Sequence, residues 1–161
     1  MQIFESIKNR LVQRGFNIAS YDLERPWGGF FVINEDQAQL FADEFFEEMK
    51  VDALRIAGKL SPKILVVKPG ARLSWQYHHR RAETWRVIEG PVGIIRSFSD
   101  EEGEPASFES GETVVLTQGE RHRLIGLDQW GVVAEFWQHT DPNYPSDEAD
   151  IVRVQDDYAR K

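Results

Sequence analysis

Cysteine is absent, methionine occurs only twice, and 19 Lys plus Arg stand against 27 Asp plus Glu. Without cysteine there can be no disulfide and no thiolate ligand, so a bound metal would have to rely on nitrogen and oxygen donors. The formal net charge of -8 argues against general binding to nucleic acid or to a membrane surface. Both of those partners require a positive field. No run of roughly 18 apolar residues occurs, so no transmembrane helix is expected. The stretch MQIFESIKNRLVQRGF lacks a basic head followed by an apolar block, so it does not read as a secretory signal. A cytoplasmic setting is the expectation. The length of 161 residues fits a single domain with one sizeable core.

What is present changes character along the chain. Ile3, Phe4, Ile7, Leu11 and Val12 recur at helical spacing over residues 3–16, and Gly15 is a plausible stop. DQAQLFADEFFEEMK, residues 36–50, reads as a second helix, with Asp36 placed to cap it. Before it, RPWGGFFVI reads as a turn followed by a short strand. From residue 63 the texture is different. KILVV, TWRVIE, VGIIRSF, TVVLT, HRLIG and GVVAEFW are short and rich in Val, Ile, Phe and Trp, and turn residues separate them. Many short strands at near-regular spacing predict an all-β sandwich or barrel. Near the C-terminus, Ile151, Val152 and Val154 fit a short element that closes it.

The densest chemistry lies in WQYHHRRAETWRVIEG, residues 75–90. Gln76 and His78 are two apart, so on a strand their side chains leave the same face. A hairpin folds Glu83 back beside His78, and His122 comes from a later hairpin. Two imidazoles, a carboxylate and an amide oxygen form an N/O ligand set for a divalent ion, with positions left for substrate or water. His79 has the opposite parity and faces away. Arg121 and Arg123 flank His122, also at opposite parity, and are expected on the solvated surface. Trp75, Tyr77, Trp85, Trp130 and Trp137 are expected mainly to pack.

The blocks around Gln76–Glu83 and Gly111–His122 resemble the paired motifs of the cupin superfamily. Gln76 stands where the usual first histidine would be, Thr117 where a proline is usual, and Gly126 where an asparagine is usual. RPWG at 25–28, KPGARLSWQYHHRRAETW at 68–85, GERHRL at 119–124 and DIVRVQDDYAR at 150–160 are similar to the cupin domain of type II mannose-6-phosphate isomerases. Small stand-alone cupins of this kind are also labelled phosphoheptose isomerases. The resemblance implies an all-β cupin double-stranded β-helix, a jelly-roll barrel, with one or two N-terminal helices. It implies one domain over 1–161, with an N-terminal helical segment at 1–20, a helical insertion at 34–60 and a metal-binding core at 61–140.

The same resemblance implies an aldose–ketose isomerase for a sugar or sugar phosphate of the mannose-6-phosphate, fructose-6-phosphate or heptose-phosphate type. It implies one divalent metal per chain, zinc first, with Mn, Fe, Co and Ni acceptable to the same ligands. Arg81, two residues before Glu83, is placed to stabilise an oxyanion. Arg153 and Lys63 are the candidates for a phosphate, and Lys63 also counts among the catalytic candidates. For the base, the family has a glutamate two residues before a glutamine. Gln138 matches that glutamine, but Phe136 stands two residues before it, so Glu135 or His139 is left for the role. The bland readings are a buried salt bridge for Glu135 and a surface loop for His139. A small-molecule sugar is the expected partner and a homodimer the expected assembly. An isomerase of unphosphorylated sugars such as lyxose or mannose, a non-catalytic sugar-binding cupin and a non-haem iron dioxygenase stand as alternatives.

Overall fold

The computed structural model describes residues 2–46, 60–141 and 143–158. Helix α1 (Gln2–Gln13) buries Phe4, Ile7 and Leu11 on one face. It stops in a Schellman arrangement: the Gly15 N–H donates to Val12 O, the Phe16 N–H to Leu11 O, and Gly15 takes φ +87°. Leu11 and Phe16 then share one apolar cluster. The chain continues into strands β1 (Ile18–Arg25) and β2 (Gly28–Ile33), a 3-10 turn at Glu35–Gln37 and helix α2 (Ala38–Phe45). Asp36 does not cap this helix: Asn34 caps the 3-10 turn, its side-chain oxygen accepting the Asp36 N–H at 3.2 Å, and Gln37, which precedes α2, makes no side-chain capping bond. The second helix is therefore shorter than the 36–50 read from the pattern, and residues 47–59 of the expected insertion lie outside the described residues.

The remaining strands are β3 (Lys63–Val67), β4 (Trp75–Tyr77), β5 (Arg81–Glu89), β6 (Val92–Ser97), β7 (Ala106–Phe108), β8 (Thr113–Leu116), β9 (Arg121–Gly126), β10 (Gly131–His139) and β11 (Val152–Gln155). They form two antiparallel sheets, ordered β1-β2-β3-β10-β5-β8 and β11-β4-β9-β6-β7. This is the cupin jelly roll that the sequence predicts. No helix among the described residues is long and apolar enough to cross a membrane.

At the centre of the larger sheet β3 and β10 are buried on both faces, which explains why KILVV and GVVAEFW are apolar runs rather than alternating patterns. On one face Ile64, Val66, Val132, Ala134 and Phe136 pack under the helices. On the other, Leu65, Val67, Trp85, Val87 and Val133 meet Ile94 and Leu124 of the smaller sheet. Strand β1 was not foreseen. It is an edge strand, half of its residues are exposed and none is fully buried, so it carries little hydrophobic pattern to read. The turn joining it to β2 explains RPWG. Gly28 takes φ +143°, and a Cβ there would lie 2.0 Å from Val66 O.

Candidate metal centre and its cleft

Strand pairing brings the separated residues together. Gln76 on β4 lies opposite His122 on β9, and Glu83 on β5 lies between Leu116 of β8 and Trp137 of β10. The Gly119 N–H donates to His78 O at 3.1 Å and so ties the second motif to the first. His78, Glu83 and His122 are all buried, and their ligand atoms lie within 4.8 Å of one another. Glu83 bridges the pair: Oε2 is 3.3 Å from His78 Nε2 and Oε1 is 3.4 Å from His122 Nε2.

The tautomers follow from what faces each ring. A carbonyl oxygen can only accept, so His78 Nδ1–H donates to Asp150 O at 2.7 Å and His122 Nδ1–H to Glu120 O at 3.1 Å. Both Nε2 atoms therefore point bare lone pairs at the Glu83 carboxylate, the arrangement of metal-ligating histidines. Arg81 donates from Nε to Glu83 Oε2 at 2.9 Å, but Glu83 Oε1 and His122 Nε2 are buried with no donor among the described residues. Acceptors converging without donors cost free energy unless a cation sits among them. The donor set fits a divalent ion.

Electrostatics point the same way. Burial, with Arg81 and His122 beside it and against the pull of Glu83, lowers His78 to about 4, so its ring is neutral near pH 7. Burial would raise Glu83, but the positive charge of His78 when protonated and of the Arg81 guanidinium outweighs it and holds the carboxyl well below its ordinary range. Gln76 is at the site, yet it turns its amide nitrogen to His78 Nε2, 3.5 Å away, while Ser74 Oγ donates to its oxygen. An amide flip exchanges the two.

A cleft with about 690 Å³ of empty space opens over these residues, lined also by Lys63, Arg81, Glu135 and Arg153. Glu135 is buried, and among the described residues it forms no salt bridge of the kind that the bland reading expected. Its Oε2 accepts from Trp85 Nε1 at 2.9 Å and its Oε1 from Trp137 Nε1 at 2.8 Å. Burial and the nearby Glu83 raise it to about 7, against Lys63, Arg81 and the Trp137 hydrogen bond. The guanidinium of Arg81 stacks 3.5 Å from the Trp137 ring centre and reaches Ser146 Oγ and Asp147 O. Lys63 is buried, with Nζ 2.9 Å from Glu148 Oε1. Arg153 is exposed on β11 opposite Gln76.

The structure separates His139 from this group. It is fully buried at the end of β10 rather than in a surface loop, and its Nδ1 accepts the Ser146 N–H at 2.9 Å, which occupies that nitrogen. The exposed His79 faces away, as its parity predicts. Arg123 reverses the surface expectation. It is fully buried, donating to Leu73 O, Glu102 and Gln155, because the 98–105 segment and β11 cover it. Arg121 is half-buried over the Tyr77 ring at 3.7 Å and pairs with Asp100.

Asp150 was missed as a site residue. Its carbonyl orients His78, and its buried carboxylate accepts from the backbone N–H of His79 and Arg80 at 2.9 Å each and from Ser146 Oγ at 2.6 Å. Burial opposes ionisation, but those hydrogen bonds and Arg80 hold Asp150 below its ordinary range. Its presence in DIVRVQDDYAR was the one available signal.

The family profile described as "Mannose-6-phosphate isomerase C-terminal" matches residues 17–156. The chain belongs to that family. Among its relatives, the xanthan biosynthesis protein XanB of Xanthomonas campestris pv. campestris (strain B100) is 30% identical over 136 residues, covering 84% of this chain and 23% of XanB. A mannose-1-phosphate guanylyltransferase of Salmonella montevideo is 28% identical over 159 residues, covering 99% of this chain and 27% of that protein. The chain thus spans about a quarter of the length of these relatives. The capsular polysaccharide assembling protein CapF of Staphylococcus aureus superposes with a TM-score of 0.55 at 18% identity, covering 87% of this chain and 34% of CapF. That likeness concerns the fold.

Proposed function

We propose that this protein is a metal-dependent aldose–ketose isomerase acting on a sugar or sugar phosphate. The observation that carries the reading is a buried His78–Glu83–His122 trio, with both Nε2 lone pairs turned inward, sharing a cleft with a glutamate poised near neutrality. Family membership supports a sugar-phosphate-related enzyme.

His78, Glu83 and His122 would hold the ion, zinc first by its fit to imidazole and carboxylate, with Gln76 as a fourth ligand through its oxygen. When bound, the metal supplies Lewis acidity toward the substrate's carbonyl and hydroxyl oxygens. The residues supply the rest. Glu135, held by two indole N–H groups, takes the proton from the carbon beside the carbonyl and returns it to the neighbouring carbon. A carboxyl near 7 suits both directions of that transfer. Arg81 aims Glu83 and places positive charge where negative charge develops on oxygen. His139, with Nδ1 already engaged, is the weaker choice of base.

The test begins with metal content by mass spectrometry and turnover of mannose 6-phosphate, fructose 6-phosphate and mannose. Near one metal per chain and isomerisation are expected, with most metal lost in His78→Ala and in His122→Ala. Glu135→Gln should keep its metal and lose about 100-fold or more in kcat. Metal without turnover of any sugar would favour a binding role, and iron-dependent oxygen uptake an oxygenase.

A further inference from the structure

The candidate metal ligands come from both sheets. Glu83 lies on β5 of the larger sheet, opposite Leu116 of β8. His122 lies on β9 of the smaller sheet, between Gln76 of β4 and Arg96 of β6. The chain passes from β8 to β9, and so from one sheet to the other, through residues 117–120. Leu116 directly precedes this turn, and His122 comes two residues after it. Where Glu83 stands relative to His122 therefore depends on how the crossing is held.

Three successive residues of the turn touch the histidine segments. Gln118 Nε2 donates to His79 O, the Gly119 N–H donates to His78 O at 3.1 Å, and Glu120 O accepts from His122 Nδ1. The turn already has a backbone closure: the Glu120 N–H donates to Thr117 O at 3.1 Å, and Gly119 takes φ +77°. A neutral residue facing solvent would complete such a turn. The Glu120 side chain is instead only 4% exposed, and a buried carboxylate costs free energy unless donors surround it. Its Oε1 accepts from the Thr117 N–H at 2.9 Å and its Oε2 from Arg96 Nε at 2.9 Å. Arg96 Nη2 then donates to Val115 O on β8 at 2.8 Å. One guanidinium on the smaller sheet thus grips both a strand of the larger sheet and the turn that joins them.

We propose that Glu120 and Arg96 form a clasp that positions the metal centre, fixing where the chain crosses between the sheets and hence where His122 stands relative to Glu83. Both are positioning residues. Glu120 acts through the carbonyl that orients His122, and Arg96 through the carboxylate that it holds. As a plain stabiliser the pair would be weak, because the Arg96 side chain is 39% exposed and screened by water. A metal site is more demanding, since its ligand distances must hold to about 0.2 Å. The clasp depends on the metal-binding half of the function proposed above, not on its isomerase chemistry.

The test compares the full-length wild type with Glu120→Gln, Arg96→Met and, as a destabilised control, Phe136→Ala. Zinc affinity is measured by chelator competition, ligand geometry by the visible absorption of the cobalt-loaded chain, and stability by urea unfolding. Glu120→Gln and Arg96→Met should each weaken zinc about tenfold or more and alter the cobalt bands. The double variant should lose no more than the worse single one, because the two side chains act as one unit. Arg96→Lys should recover part of the affinity. Phe136→Ala should unfold at lower urea and keep both zinc affinity and cobalt bands. Wild-type affinity and bands in both single variants would overturn the inference. So would a zinc loss that tracks destabilisation as it does in Phe136→Ala. Arg96 is part-exposed, so Arg96→Met decides the matter even where Glu120→Gln does not fold. A wild type that takes up neither zinc nor cobalt would overturn the metal centre and the clasp together. Weakened zinc in the variants, with no turnover of any sugar by wild type, would uphold the clasp and sink the isomerase.

Discussion

Along β10, successive residues enter two different interiors. Val132, Ala134 and Phe136 face the helices, in a cluster that is apolar throughout. Val133 faces the smaller sheet, and at the same parity Glu135 and Trp137 carry the strand from apolar packing into the cleft. Both sides exclude water equally well: Phe136 is 1% exposed and Glu135 4%. The difference lies in what burial does. On the helix side it removes hydrocarbon from water and adds stability. On the cleft side it strips water from carboxylates, imidazoles and cations, and each group then answers to its neighbours instead of to solvent. One strand thus supplies both the support and the chemistry, one residue apart.

Removing the ring that β10 places on the apolar side should separate the two functions most sharply. Phe136 packs against Phe41 and Phe46 with ring centres 5.1 and 4.9 Å away. Phe136→Ala should cost about 3–5 kcal/mol in urea unfolding, since transfer and cavity terms add. Metal per folded chain should not change. Metal loss in proportion to destabilisation would mean that the two interiors are one mechanical unit.

Its neighbour Glu135 should show a smaller effect whose sign depends on pH. Because the folded state raises this carboxyl from 4.5 to about 7, the folded chain holds a proton that the unfolded chain has released, and its contribution to stability falls as pH rises through that window. His78 acts the other way. Lowered from 6.5 to about 4, it makes stability rise with pH between those values. In metal-free wild type the two largely offset. Glu135→Gln leaves His78 unopposed, so the variant should gain on wild type by on the order of 2 kcal/mol between about pH 5 and pH 7. A difference that stays flat across that range would show that Glu135 is ionised throughout. A divalent ion added beside the carboxyl should reduce the gain.

Asp150 tests how far the chemical side extends. It stands outside the trio, and its carboxylate accepts from three donors, which an amide with one oxygen cannot do. Asp150→Asn should weaken metal binding about tenfold, as outer-shell substitutions do, and cost about 1 kcal/mol or more because a buried donor loses its acceptor. Unchanged affinity in a chelator competition would show that the His78 orientation is set by the backbone of this segment alone.

How much of this was legible depended on the distance over which each contact is made. Gln76, Glu83 and His122 could be read because they sit on strands of period two, and His78 because it directly follows β4 at the parity of Gln76. Strands β3 and β10 were legible as apolar runs. Strand β1 was not, because an exposed edge strand leaves no hydrophobic trace. Arg123 lies in the polar sequence RHR, and its burial depends on Glu102 and Gln155, both far along the chain. Asp150 reaches His78 across 72 residues, a contact that no local period encodes. Glu135 was visible as a candidate, but the indole pair that holds it needed the pairing of β5 with β10.

The smallest effect should come from charge on the apolar side. Glu44 of α2 meets Arg14 at 2.8 Å and Arg10 at 3.5 Å, spanning the two helices over the phenylalanine cluster. The arginine side chains are 55% and 44% exposed, so water and salt screen both pairs. Glu44→Ala should therefore cost less than about 1 kcal/mol, and less still at high salt, with metal content and turnover unchanged. A loss comparable to that of Phe136→Ala would mean that these helices are clamped by charge and that the hydrocarbon beneath them is secondary. The expected result bears on the cleft as well. A carboxylate between two arginines is nearly silent where water reaches it, whereas Glu83, between Arg81 and two histidines, is held far from its ordinary titration because water does not.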